Sequence, residues 1–174
     1  MNQFGGSWTE SKMEIVVAYA KAYLTIMNKQ TWAKTLYFDG FAGSGAIEAN
    51  EDEEVIKGTA LRILDINDPK SFDLYYFVEK DEKNKLELQA KIDRDYPDKK
   101  RIAPVVQADC NIKMIDMAKF LKENNNYRAL AFIDPLVPAG SPNGDPAQSC
   151  RSAYLSSGSL TGDPEGTVSM DLLT

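Results

Sequence analysis

The chain contains no histidine among its 174 residues. Histidine is the usual general base of enzymes and a frequent metal ligand, so its absence excludes histidine-based catalysis and removes the commonest ligand for a transition metal. The net charge is -6, and an acidic composition does not indicate the basic surface with which proteins bind nucleic acid. A nucleic-acid partner is therefore only weakly indicated.

Cysteine and long hydrophobic runs are also scarce. Cys110 and Cys150 show neither metal-ligand spacing nor a disulfide framework, which predicts reduced thiols. The longest apolar runs have the length of strands, and the N-terminus lacks the pattern of a signal peptide. With 43% hydrophobic and 26% charged residues, we expect one cytoplasmic domain that does not associate with membranes.

Hydrophobic periodicity predicts alternating helices and strands. The first helix is expected over residues 7–29 and contains apolar residues at helical spacing, and an acidic stretch at 48–54 is expected to be a loop. Four apolar segments predict strands, at 36–39, 73–79, 103–109 and 129–134. Between them, helices are predicted at 59–66, 81–96 and 112–123.

This alternation predicts an α/β, Rossmann-like fold with a parallel sheet and flanking helices. Each of the four predicted strands ends in a carboxylate, at Asp39, Glu79, Asp109 and Asp134. Ligands of such folds bind beyond the carboxyl ends of the strands. The four acids are therefore expected at the edge of the sheet where a ligand would lie.

The composition changes abruptly after residue 135. Segment 136–174 contains 5 Gly, 7 Ser and 4 Pro among 39 residues, and it has no helical or strand period. We expect residues 1–135 to form the domain, with its Rossmann core at 36–135 and its sheet truncated after the fourth strand. For 136–174 two interpretations stay open, a natural disordered tail or a non-native tail produced by a frameshift.

A glycine loop follows the first predicted strand and begins with an acid. Its residues are Asp39, Gly40, Phe41, Ala42, Gly43, Ser44 and Gly45. Glycine permits a sharp turn and a close approach to a ligand. The spacing Gly-x-x-Gly-x-Gly differs from the dinucleotide pattern, and no Gly-Lys-Ser/Thr follows it. Because Asp39 would repel a pyrophosphate and attract an ammonium group, S-adenosylmethionine is the first candidate ligand, and the alternative is a tight turn without a ligand.

Each remaining acid has a functional and a structural interpretation. Glu79 is placed to accept hydrogen bonds from ribose hydroxyls, or it begins a charged surface run. Asp109, with Cys110 beside it, would contact the adenine amine or cap the next helix. Asp134 and Pro135 would lie near a transferred group or initiate a turn. The basic run 99–101 is expected to be a solvated turn.

The segments DGFAGSG, FVEKD, VQADCN and FIDP, in this order, resemble the cofactor motifs of class I S-adenosylmethionine-dependent methyltransferases. Together with WTESKMEIVVAYAKAYL and KGTALRIL, they are similar to the three-Cys-motif partner (TcmP) family. The resemblance implies that Asp39 and the glycines hold the methionine part, Glu79 the ribose and Asp109 the adenine. It also implies a three-Cys-motif protein as a partner.

The sequence departs from this resemblance after Asp134. Related base methyltransferases continue with an aromatic residue that holds the target amine, and here Leu136 and Val137 follow Pro135. The expected function is thus a methyltransferase of unknown acceptor, with Asp134 orienting the acceptor. The alternatives are a module that binds S-adenosylmethionine or a partner without catalysis, and an rRNA or DNA base methyltransferase. If the usual strand order applies, 129–134 forms an exposed hydrophobic edge that promotes aggregation.

Overall fold

The computed structural model describes residues 7–47 and 56–134. The acidic stretch 48–54, Pro135 and the segment 136–174 lie outside the described residues, so the expectations for them stay predictions. The elements in chain order are α1 (Ser7–Met27), β1 (Lys34–Asp39), β2 (Ala46–Ile47), β3 (Ile56–Lys57), α2 (Thr59–Leu64), β4 (Leu74–Glu79), α3 (Glu82–Asp95), β5 (Val105–Gln107), α4 (Cys110–Glu123) and β6 (Tyr127–Phe132).

The predicted parallel sheet is confirmed. Four strands pair in the order β5-β4-β1-β6, and every pairing is parallel. The first strand in the sequence, β1, is central, with β4 on one side and β6 on the other. From Thr35 to Asp39 its side chains are all buried, as expected of a strand covered on both faces. The observed order matches the order 3-2-1-4 of the four predicted strands.

Helices cover both faces of the sheet, because successive strand side chains point in opposite directions. On one face Tyr37, Tyr75 and Phe77 form a core with α1, α2 and α3, to which Leu24 and Leu88 belong. The opposite face, with Phe38 and Val78, packs against Met117 and Cys110 of α4. The described residues therefore form an α/β fold in which helices flank an all-parallel sheet, an arrangement compatible with the predicted Rossmann-like fold.

The structure corrects three expectations. Two of the predicted strands end earlier than expected, at Gln107 and Phe132, so Asp109 and Asp134 follow their strands by two residues. A short antiparallel pair, β2 with β3, had not been predicted, because two residues are too few to show a period. The basic run is not wholly solvated, since Lys99 is 6% exposed.

Buried Lys99 acts as a cap at the end of α2. Its ammonium donates to the Leu64 carbonyl, and to Asn67 Oδ1 at 2.9 Å. The last carbonyls of a helix have no partner within the helix, so a cation there is favourable. Burial lowers the pKa of this ammonium, while Asp98 and Asp65 act in the opposite direction.

Two further properties follow from the described residues. Cys110 is buried and Cys150 lies outside the described residues, so the reduced state of the two thiols stays a prediction. Among the parts of the chain that the structure describes, no helix has the length and apolarity required to cross a membrane.

Candidate functional site

The glycine loop connects β1 to β2 at the carboxyl edge of the parallel sheet. Gly43 and Gly45 have φ values of 63° and 75°, a region that other residues adopt only with strain. A Cβ added to Gly45 would lie 2.7 Å from Leu88 Cδ1, whereas one added to Gly43 would meet no atom within 4 Å. Packing therefore requires Gly45, while Gly43 borders open space.

The backbone amides of the loop are directed into the protein. Four consecutive N–H groups, from Gly40 to Gly43, donate in turn to the Phe132 carbonyl (3.0 Å), Asp39 Oδ1 (3.1 Å), the Val78 carbonyl (3.0 Å) and Glu79 Oε2 (2.8 Å). A loop that binds phosphate presents such amides to its ligand. These four amides are already engaged, so this loop is not organised as a phosphate cradle.

The second half of the loop is fastened by contacts that the sequence did not predict. Lys91 of α3 donates to the Ser44 carbonyl at 2.8 Å, and the Gly58 amide donates to the Gly45 carbonyl at 3.0 Å. A Cβ on Gly58 would lie 3.2 Å from the Gly45 backbone, so glycine at both positions permits this approach. Gly58 belongs to the segment KGTALRIL, which the resemblance included without assigning it a role.

Asp39 is a buried carboxyl at the start of the loop, with 1% of its surface exposed. Its Oδ2 atom is buried and has no hydrogen-bond partner among the described residues. Burial raises the pKa of Asp39 to about 7, and the nearby carboxylates of Asp134 and Glu79 contribute in the same direction. The Phe41 amide and the Tyr37 hydroxyl lower the pKa but do not offset burial.

Glu79 closes the end of β4 against the loop. One oxygen accepts from the Gly43 amide at 2.8 Å, and the other accepts from the Asp81 amide at 2.8 Å. Since a carboxylate offers about four acceptor sites, two remain for further donors. Contact with ribose hydroxyls is compatible with this geometry and stays a prediction.

Asp109 is the N-cap of α4, and its side chain accepts from the Asn111 amide at 2.9 Å. The capping interpretation is thereby confirmed, while contact with adenine remains a prediction. Cys110 lies beneath the loop, because a Cβ on Gly40 would be 2.5 Å from Cys110 Sγ. Its placement gives this thiol a packing role against Gly40 and Ile133.

Asp134 lies two residues beyond β6 and forms an ion pair with Lys12 of α1. The side chains of both residues are about two-fifths exposed, at 37% and 42%, so solvent reaches the pair. Sequence patterns gave no signal for Lys12, which is 122 positions from its partner. In the structure the carboxyl groups of Glu79 and Asp134 thus lie near enough to interact electrostatically with Asp39, and Lys12 is a neighbouring cation.

Known proteins provide no identification of this site. Comparison of the chain with known protein families, with curated proteins and with solved structures found no match. Within residues 7–47 and 56–134, no group of three or more cysteine, aspartate and glutamate side chains is arranged to hold a metal ion. The function is therefore inferred from the geometry and charge of the loop and its neighbouring acids.

Proposed function

We propose that the chain binds S-adenosylmethionine at the loop from Asp39 to Gly45, as a domain of the class I methyltransferase type. The observation that carries this proposal is the direction of the loop amides. Those of residues 40 to 43 are donated to protein acceptors, while the carboxylates of Asp39, Glu79 and Asp134 surround the loop. Such a site favours a cation and disfavours a pyrophosphate.

The charges of candidate ligands distinguish them at such a site. S-Adenosylmethionine carries an ammonium, a sulfonium and a carboxylate group, so its net charge is positive, and its nucleoside has no phosphate. A nicotinamide dinucleotide brings two phosphates, which would face carboxylates and find four loop amides occupied. In this proposal Glu79 binds the ribose and Asp109 contacts the adenine, as the resemblance to methyltransferases implies.

Methyl transfer requires mainly an aligned nucleophile close to the methyl group, so the absence of histidine is no objection to it. Asp134 is the candidate to orient the acceptor. Its ion pair with Lys12 supports a second candidate function, a module that binds the cofactor or a three-Cys-motif partner without catalysis. In that case the ammonium group of Lys12 would neutralise the charge of the Asp134 carboxylate.

Titration calorimetry with S-adenosylmethionine and with NAD tests the cofactor class. We expect S-adenosylmethionine to bind and NAD not to bind. Tight binding of NAD without a signal from S-adenosylmethionine would contradict the proposal. Transfer of a radiolabelled methyl group to protein and nucleic-acid pools, with Asp134→Ala as the control, then distinguishes an enzyme from a non-catalytic module.

Two alanine variants locate the ligand on the loop. Gly43→Ala places a methyl group in open space, so we expect a loss of about 1 kcal/mol of stability from its positive φ and an affinity at least about tenfold weaker. Gly45→Ala directs its methyl group at Leu88 and should mainly lower stability, by about 2–4 kcal/mol. Unchanged binding by Gly43→Ala would place the ligand elsewhere.

A further inference from the structure

We propose that the ligand-free site holds a proton on the Asp39 carboxyl and that a cationic ligand displaces this proton when it binds. The inference rests on the proposed function and extends it to regulation by pH. One cation enters the site as one proton leaves for the solvent, so charge is conserved. Near neutral pH, affinity would then increase as the proton concentration falls.

The geometry around Asp39 favours a neutral carboxyl in the absence of ligand. The side chain is 1% exposed, and its Oδ1 atom accepts one hydrogen bond, from the Phe41 amide at 3.1 Å. Oδ2 has no hydrogen-bond partner among the described residues. An ionised carboxylate in this position lacks both the hydration and the counter-ion that would stabilise it.

Groups on the neighbouring elements increase this preference. Glu79 at the end of β4 and Asp134 after β6 both act on Asp39 as like charges. Lys12 of α1 forms an ion pair with Asp134, so the charge of this cation is already engaged. On β1 itself the Tyr37 hydroxyl favours the ionised form, but less than burial opposes it.

The helix that begins beneath the loop has no positively charged side chain among its first three residues, Cys110, Asn111 and Ile112. Cys110, the first residue of α4, packs its thiol against Gly40, and Asp109 before it accepts from the Asn111 amide. The excess of carboxylates is therefore left for a proton or a ligand cation to offset. The cation need not touch Asp39, because charges interact over several ångströms in a medium of low dielectric constant.

Thermodynamic linkage sets the size and direction of the effect. The pKa of ligand-free Asp39 is about 7, and a bound cation lowers it. The dissociation constant should therefore decrease by about tenfold from pH 6 to pH 8, with about half a proton released at pH 7. The chain contains no histidine, so the usual source of proton exchange in this range is absent.

The test is titration calorimetry with S-adenosylmethionine at pH 6, 7 and 8, in phosphate and in Tris, whose different ionisation enthalpies report proton release. Asp39→Asn is compared with the wild type, because the ligand's own amino group titrates identically with both proteins. The variant should lose the roughly tenfold pH dependence specific to the protein and the proton release that goes with it. Circular dichroism establishes whether the variant folds.

Carbon-13 NMR of aspartate carboxyl groups provides a second measurement that needs no variant. One resonance of the ligand-free wild type should titrate near neutral pH, and its midpoint should fall when S-adenosylmethionine is added. Binding with the same pH dependence in both proteins, or the absence of such a resonance, overturns the inference and leaves the proposed function standing. Absence of binding at every pH refutes the proposed function and the inference with it.

Discussion

Replacing Asp39 by asparagine should change the pH dependence of stability in the ligand-free protein. Folding raises the pKa of this carboxyl from 3.8 to about 7. An acid with a raised pKa is ionised in the unfolded chain before it is ionised in the native state, so the wild type loses stability as pH increases from about 4 to about 7. Asparagine has no charge and should abolish this loss.

The magnitude follows from the pKa and the burial of the group. A rise of about 3 in pKa corresponds to about 4 kcal/mol, at about 1.4 kcal/mol for each factor of ten. Asparagine keeps an acceptor for the Phe41 amide, but its NH₂ group replaces Oδ2, which has no hydrogen-bond partner within the part of the chain that the structure describes, at a cost of about 1–3 kcal/mol. The variant should therefore be about 0.5–2.5 kcal/mol less stable than the wild type near pH 4 and about 1–3 kcal/mol more stable near pH 8.

Urea unfolding at a series of pH values measures this difference. Asp98→Asn is the control, because it also replaces a carboxyl group by an amide but does so at an exposed position. The change in sign between acid and alkaline pH is the essential result. A difference between Asp39→Asn and the wild type that stays constant from pH 4 to pH 8 would refute the assignment of a buried, proton-binding carboxyl at the start of the loop.

Three further variants test packing and ion pairs. Gly40→Ala should lower stability by about 1–3 kcal/mol through its clash with Cys110 Sγ, and calorimetric melting should show partial rescue by Cys110→Ala. Lys99→Met removes the two hydrogen bonds of a buried ammonium and should lower the free energy of unfolding by about 2–3 kcal/mol. Its control, Lys100→Met, removes an exposed ion pair and should change the free energy of unfolding by less than about 1 kcal/mol. Burial acts to raise the pKa of Asp73, but the Thr35 amide and hydroxyl and Lys70 hold it below its usual value. The stabilisation from Asp73 is therefore present above about pH 4 and lost as pH falls further, and acid unfolding of Asp73→Asn should lack this loss.

Local patterns were sufficient to predict the parallel sheet. The apolar runs of β1 and β4 each end at the predicted acid, Asp39 and Glu79, because a strand buried on both faces is apolar until it reaches the edge of the sheet. The glycine loop was predicted from the same local signal. The positive φ values of Gly43 and Gly45 explain why the glycines in this segment predicted a sharp turn.

The partners of the site residues could not be predicted, because they are distant in sequence. No pattern in the loop indicates that Cys110 lies under Gly40, that Gly43 donates to Glu79 or that Lys12 pairs with Asp134. These contacts arise only when crossovers place separate strand ends side by side. The prediction that Lys99 is solvated is wrong for the same reason, because its acceptors lie at the end of α2, far from it in the sequence.

The edge of the sheet at β6 gives a final prediction about association. Within the described residues β6 pairs with β1 alone, so its other side presents unpaired backbone groups to a second chain. The side chains of Ala129, Leu130 and Ala131 are buried, which means that backbone pairing, rather than an exposed apolar surface, would drive this association. We therefore expect the protein to self-associate as its concentration rises.

The direction of each backbone group along β6 allows a selective test. Lys34 N–H donates to the Asn126 carbonyl and Gly40 N–H to the Phe132 carbonyl, and alternate residues of a strand face the same neighbour, so the Leu130 amide faces β1 and the Ala129 amide faces outward. Ala129→Pro should block outward pairing and retain most of the stability, whereas Leu130→Pro should lower stability by about 3 kcal/mol. Sedimentation velocity should show a monomer for Ala129→Pro at concentrations where the wild type associates. A wild type that stays monomeric throughout would mean that the edge of β6 is covered.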